Sequence, residues 1–130
     1  LARLATYKGI PVSELLSAEE LEKVVKATMV GGATLTGLLG TSAWYAPGAA
    51  GAFVVESIIK NQKKLIPSCV ALEGEYGQND ICIGVPTIIG RNGVEKIVEV
   101  ELNAAEKALF VASADAVRKT NDVLKEINVL

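Results

Sequence analysis

Apolar positions along this chain keep two different periods, and the change between them separates helical from extended stretches. Leu21, Val24, Val25, Thr28, Gly32, Leu35 and Leu39 recur at three- and four-residue steps, the spacing that lines one side of an α-helix. Ser17-Ala18-Glu19-Glu20 opens that stretch. It reads as a capping box, in which Ser17 and Glu20 each satisfy a free backbone donor, so a helix is expected to start there. Gly31-Gly32 costs about 2 kcal/mol of helix propensity relative to alanine. The expectation is a kink or a break into two shorter helices at that point. Upstream, Gly9 and Pro11 favour an extended or turning lead-in over a helix.

A second helix is expected from about Pro47 to Lys60. Pro47 lacks an N–H and restricts Ala46, which suits the first turn of a helix. From Gly48 to Ala52 every side chain is Gly or Ala. Thr41-Ser42-Ala43-Trp44-Tyr45 leads into this helix with two hydroxyls, an indole and a phenol. Two uses fit the stretch. Ser42 caps an irregular first turn while the small residues let helices of one core pack closely, or the helix start faces a ligand. The polar run Lys60 to Lys64 suits the negative pole of the helix.

From Leu65 the period becomes two. Leu65 to Glu75 reads as a strand, Gly77-Gln78-Asn79-Asp80 as a turn, and Ile81, Ile83, Val85, Thr87 and Ile89 alternate along a second strand. Pro86 within it points to an edge, a bulge or one unpaired side. Gly90-Arg91-Asn92-Gly93 is a hairpin turn, followed by a third strand, Val94 to Glu101. Asn103-Ala104-Ala105-Glu106 repeats the capping logic. The last helix places Leu109, Ala112, Ala116, Val123 and Ile127 at helical spacing, expected to lie on the sheet. The fold class is therefore α+β, with N-terminal helices, a three-stranded antiparallel meander and a closing C-terminal helix in one domain over 1–130.

Composition narrows the functional classes. Half of the 130 residues are apolar and the net charge is −2, with cations spread along the chain, so no electrostatic footprint for nucleic acid exists. The longest low-polarity run, Ala43 to Ile59, contains Pro47 and Glu56 and is shorter than the roughly 20 residues of a membrane span. Cys69 and Cys82 lack metal-ligand spacing and read as reduced core thiols, which favours a cytoplasmic protein. The chain has no His, the commonest acid–base residue. It carries no Walker loop, no G-x-G-x-x-G after a strand, no H-E-x-x-H and no G-x-S-x-G. The pairs Glu19/Glu20 and Glu73/Glu75 belong to a helix start and a hairpin turn, which fits solvated faces. By residue chemistry alone this is a non-catalytic module with no metal site. The chain begins at Leu1, and a fragment of a longer protein is expected.

Taken together, six segments resemble a known family. They are Gly9-Ile10-Pro11-Val12-Ser13-Glu14-Leu15, Gly31-Gly32, Ser42-Ala43-Trp44-Tyr45-Ala46-Pro47, Leu72-Glu73-Gly74-Glu75-Tyr76-Gly77, Gly84-Val85-Pro86 and Gly90 to Ile97. Their order and spacing are similar to the C-terminal half of bacterial, lactate-dehydrogenase-like malate dehydrogenases. The run SAWYAPGAA resembles the malate rather than the lactate branch, with Trp44 where a Tyr is usual. The resemblance implies that NAD binding, the catalytic His–Asp pair and the carboxylate-clamping Arg belong to a missing N-terminal half, leaving no catalytic residue in this chain. It further implies Ser42 on the substrate-pocket wall, Ala46 near the nicotinamide, malate and oxaloacetate as substrates, and a homo-oligomer (dimer or tetramer). The alternatives are a lactate dehydrogenase C-terminal domain and a non-enzymatic oligomerisation module.

Overall fold

The computed structural model describes residues 2–127, which divide into two compact units, the first ending at Ala49 and the second starting at Ala50. In the first unit, strands β1 (Thr6–Tyr7) and β2 (Ile10–Pro11) pair antiparallel, with Thr6 opposite Pro11 and Tyr7 opposite Ile10. The lead-in is thus a tiny hairpin, as Gly9 and Pro11 suggested. It is followed by a single helical turn, α1 (Val12–Leu15), that the sequence reading left out.

Helix α2 spans Ala18–Leu39, and the capping box at its start is complete. The Glu20 amide donates to Ser17 Oγ at 3.3 Å, while the Ser17 amide donates to Glu20 Oε2 at 2.8 Å. The Ser17 hydroxyl, then the Ser17 amide, hold the Glu20 carboxyl below the usual carboxylate range. Helix α2 runs unbroken through Gly31-Gly32, contrary to the expected kink or break. Glycine raises the free energy of a helix without removing any of its hydrogen bonds, and in a helix of 22 residues the cooperativity of the turns on both sides carries it through. The helix ends on Gly40 in the left-handed region at φ 66°, the conformation glycine adopts without steric cost. None of its residues is buried. The stripe from Leu21 to Leu39, expected to face a core, stands open instead, with Leu39 half exposed.

Helix α3 (Tyr45–Ile59) passes from the first unit into the second. In the second unit, β3 (Lys64–Glu73), β4 (Asn79–Gly90) and β5 (Gly93–Ile97) form an antiparallel sheet in the order β3-β4-β5. One face of β4, carrying Ile81, Ile83, Val85, Thr87 and Ile89, is buried. Ile66 and Leu72 of β3 are also buried. Two hydroxyls enter this apolar layer and both are satisfied: Thr87 Oγ1 donates to the Ile66 carbonyl and Ser57 Oγ of α3 to the Ile89 carbonyl, each at 2.8 Å. At the β4–β5 hairpin, Arg91 and Asn92 form the turn between paired Gly90 and Gly93, and Gly93 takes φ 85°. A register shift follows between Ile88 and Ile89, because Ile88 pairs with Lys96 and Ile89 with Val94, which leaves Glu95 as the extra, bulged residue of β5.

Helix α4 (Ala104–Glu126) is capped reciprocally by Asn103 and Glu106. It lies on the sheet as expected, but not through the expected residues. Ala114 is fully buried, and Phe110 and Val117 pack with it against Leu72, Ile81, Ile83 and Val85. Leu109, Ala112, Ala116, Val123 and Ile127 are exposed. The helix carries two apolar stripes, and the smaller Ala114 occupies the point of closest approach, where a larger side chain would hold helix and sheet apart. The thiols also depart from expectation. Cys69 and Cys82 are exposed rather than core residues, because each falls on the outer register of its strand.

Candidate functional site

The segment with the most unusual chemistry, residues 41–49, lies in the first unit. Gly40 reverses the chain out of α2, and α3 begins four residues after Thr41, two positions earlier than Pro47 suggested. The Trp44 carbonyl accepts the Gly48 amide at 2.9 Å, so Trp44 occupies the cap position. Its indole cannot cap. Pro47 falls inside the first turn, where a missing N–H loses no helix bond. Ser42 is exposed, and its hydroxyl makes no hydrogen bond among the described residues. The reading of Ser42 as a helix cap therefore fails. Ala46 is the second residue of α3 and is also exposed. Trp44 and Tyr45 present their rings outward, centroids 5.9 Å apart and tilted by 37°. Within its own unit, a side chain added at Gly48 would meet no neighbour. The structure thus gathers an unengaged hydroxyl, two exposed aromatic rings and a smooth helix start on consecutive residues.

The second unit carries a cleft of about 390 Å³ beside Tyr76, Glu99, Lys107 and Phe110. Its architecture explains Pro86. Pairing of β4 with β5 stops at Thr87–Ile97. One residue further, the Val98 amide donates to the Pro86 carbonyl at 2.8 Å, but Pro86 has no N–H to return to the Val98 carbonyl. The Tyr76 hydroxyl takes that place, donating to the Val98 carbonyl and accepting the Val100 amide, both at 2.9 Å. The Tyr76 amide donates to Glu99 Oε2 at 2.6 Å, and its ring lies 5.2 Å from that of Phe110. Tyr76 adopts φ 53° to do this. The sequence reading missed this role, although a proline opposite a strand end was the signal for an unpaired carbonyl. Tyr76→Phe is expected to cost about 1 kcal/mol of stability. Faster amide exchange at Val100 than at Ile83 would accompany that loss, and unchanged exchange there would contradict the bridge.

The guanidinium of Arg118 is engaged with the turn before β4, donating to Gln78 Oε1 at 2.9 Å and to the Asn79 carbonyl at 3.0 Å. Among the described residues no group of three His, Cys, Asp or Glu side chains is placed to hold a metal ion. Also among them, no helix is long and apolar enough to cross a membrane. The Glu56 carboxyl is likewise held below its ordinary range, first by the Lys60 hydrogen bond and then by the Lys60 and Lys64 charges.

Helices leading into a three-stranded meander closed by a long helix define an α+β domain. Residues 3–127 match the lactate/malate dehydrogenase, alpha/beta C-terminal domain family, and the chain belongs to that family. It is 74% identical over 130 residues to a malate dehydrogenase of Parabacteroides distasonis, covering 100% of this chain and 42% of the relative. A solved malate dehydrogenase from Salinibacter ruber superposes with a TM-score of 0.95 at 43% identity, over 98% of this chain and 42% of that one. The lactate dehydrogenase from Eimeria maxima, solved with NADH and oxamate, gives 0.93 at 36% identity, over 99% of this chain and 42% of that one. The chain thus spans less than half the length of the relatives it matches.

Proposed function

We propose that this chain is the C-terminal domain of an NAD-dependent malate dehydrogenase, interconverting malate and oxaloacetate by hydride transfer. The observation that carries the reading is the 74% identity along the whole chain to a malate dehydrogenase. On this reading a separate N-terminal domain binds NAD and supplies the proton-transfer and carboxylate-clamping residues. What this chain offers the cofactor is the small, exposed methyl of Ala46, which fits the edge of a flat ring and not a phosphate. Ser42, whose hydroxyl is unengaged within the chain, forms part of the substrate-pocket wall. The exposed apolar residues of α2, Met29 and Leu38 among them, fit the subunit contacts of a homo-oligomer, since patches of that kind are normally covered.

Ser42→Ala in the longer enzyme separates a pocket role from a structural one. If the hydroxyl binds substrate or orders a pocket water, kcat/KM for oxaloacetate falls by about 1–2 kcal/mol, while the affinity for NADH is nearly unchanged. Unchanged kinetics beside a lowered melting temperature would contradict the assignment.

A further inference from the structure

The outer face of the sheet carries both cysteines of the chain. The register sets Cys69 opposite Gly84 and Cys82 opposite Ala71, so the two thiols are diagonal neighbours on adjacent strands, pointing to the same side. Both are exposed. The residues directly across from them are the two smallest types available. Diagonal neighbours have Cα atoms about 7–8 Å apart with Cβ atoms somewhat closer. A disulfide needs Cα atoms within about 7 Å, so direct oxidation to a bond is disfavoured. A bridging atom that contributes two bonds of its own spans the gap.

We propose that Cys69 and Cys82 form a paired-thiol site for a soft, thiophilic metalloid, trivalent arsenic being the ligand class that needs both sulfurs. With an organoarsenic oxide the chemistry balances without any redox change. Each thiol gives up its proton, the oxide oxygen leaves as water, and two arsenic–sulfur bonds replace the arsenic–oxygen double bond. The site lies in the second unit and is separate from Ser42 and Ala46 in sequence and in chemistry.

The test uses phenylarsine oxide on the longer protein that contains this chain, followed by alkylation and peptide mapping. The expected result is one adduct whose formation protects Cys69 and Cys82 together, resists a monothiol chase and is released by a dithiol. Cys69→Ser and Cys82→Ser, conservative changes at exposed positions, are each expected to weaken retention by roughly 100-fold, the gain usually supplied by a second linked contact. No adduct, as would follow if another part of the protein covers this face, overturns the proposal. Equal retention in either single variant, or protection of other cysteines, does the same.

Discussion

Leu72→Ala is expected to destabilise the second unit by about 2–5 kcal/mol, the range for removing a buried leucine and leaving a cavity. Leu72 is 1% exposed and sits at the centre of the layer formed with Ile81, Ile83, Val85 and Ala114. Its neighbours are themselves held by the sheet register, Ile81 lying directly opposite, so they cannot collapse into the space without breaking strand pairing. Leu65 on the same strand is 60% exposed on the other face. Leu65→Ala should change stability by no more than about 0.5 kcal/mol. Thermal denaturation of the two variants gives the comparison, with a fall of roughly 10 °C or more for Leu72→Ala. Similar losses from both would mean that both faces of the sheet are covered, contrary to the exposure of Leu65.

Ala114→Leu is expected to cost about 1–3 kcal/mol through overpacking. Ala114 has no exposed surface where α4 meets the sheet, and added methylenes there must push the helix away or force side chains off their preferred rotamers. The contrasting change is Ala112→Leu, on the exposed side of the same helix, where leucine has nearly the helix propensity of alanine and stability should hardly move. The reversed order, damage from Ala112→Leu and tolerance of Ala114→Leu, would set α4 down on its Leu109–Ala112–Ala116 stripe instead.

That contrast marks where the sequence could be read and where it could not. Caps are local chemistry, and both Ser17–Glu20 and Asn103–Glu106 form as their spacing requires. Strand alternation in β4 is equally legible, because a period of two on a half-buried strand leaves little choice of face. The face of α4 is not, since two stripes share the helical period and only tertiary fit chooses Ala114 over the larger Leu109. Gly31-Gly32 misled because propensity is a weak prior beside the cooperativity of a long helix. The third strand was read to Glu101 but ends at Ile97, where Pro86 withdraws a donor and Tyr76 substitutes for it. For Ser42 and Ala46, residue chemistry supplied two readings. The family resemblance, rather than any spacing, gave them pocket roles.

NADH-dependent reduction of oxaloacetate is the direct test of whether this chain serves a malate dehydrogenase as its C-terminal domain. The assay compares the longer protein with residues 1–130 alone and sets oxaloacetate beside pyruvate. Hydride transfer needs a held nicotinamide, a proton donor of suitable pKa and a cation on the substrate carboxylate, all in register. On the proposed reading, the proton donor and the carboxylate-binding cation come from outside residues 1–130, which contain no His. Oxaloacetate turnover by the longer protein, strongly preferred over pyruvate, is expected, with none above background by residues 1–130. Turnover by residues 1–130 that survives removal of host malate dehydrogenase, or a longer protein that reduces pyruvate but not oxaloacetate, would contradict it.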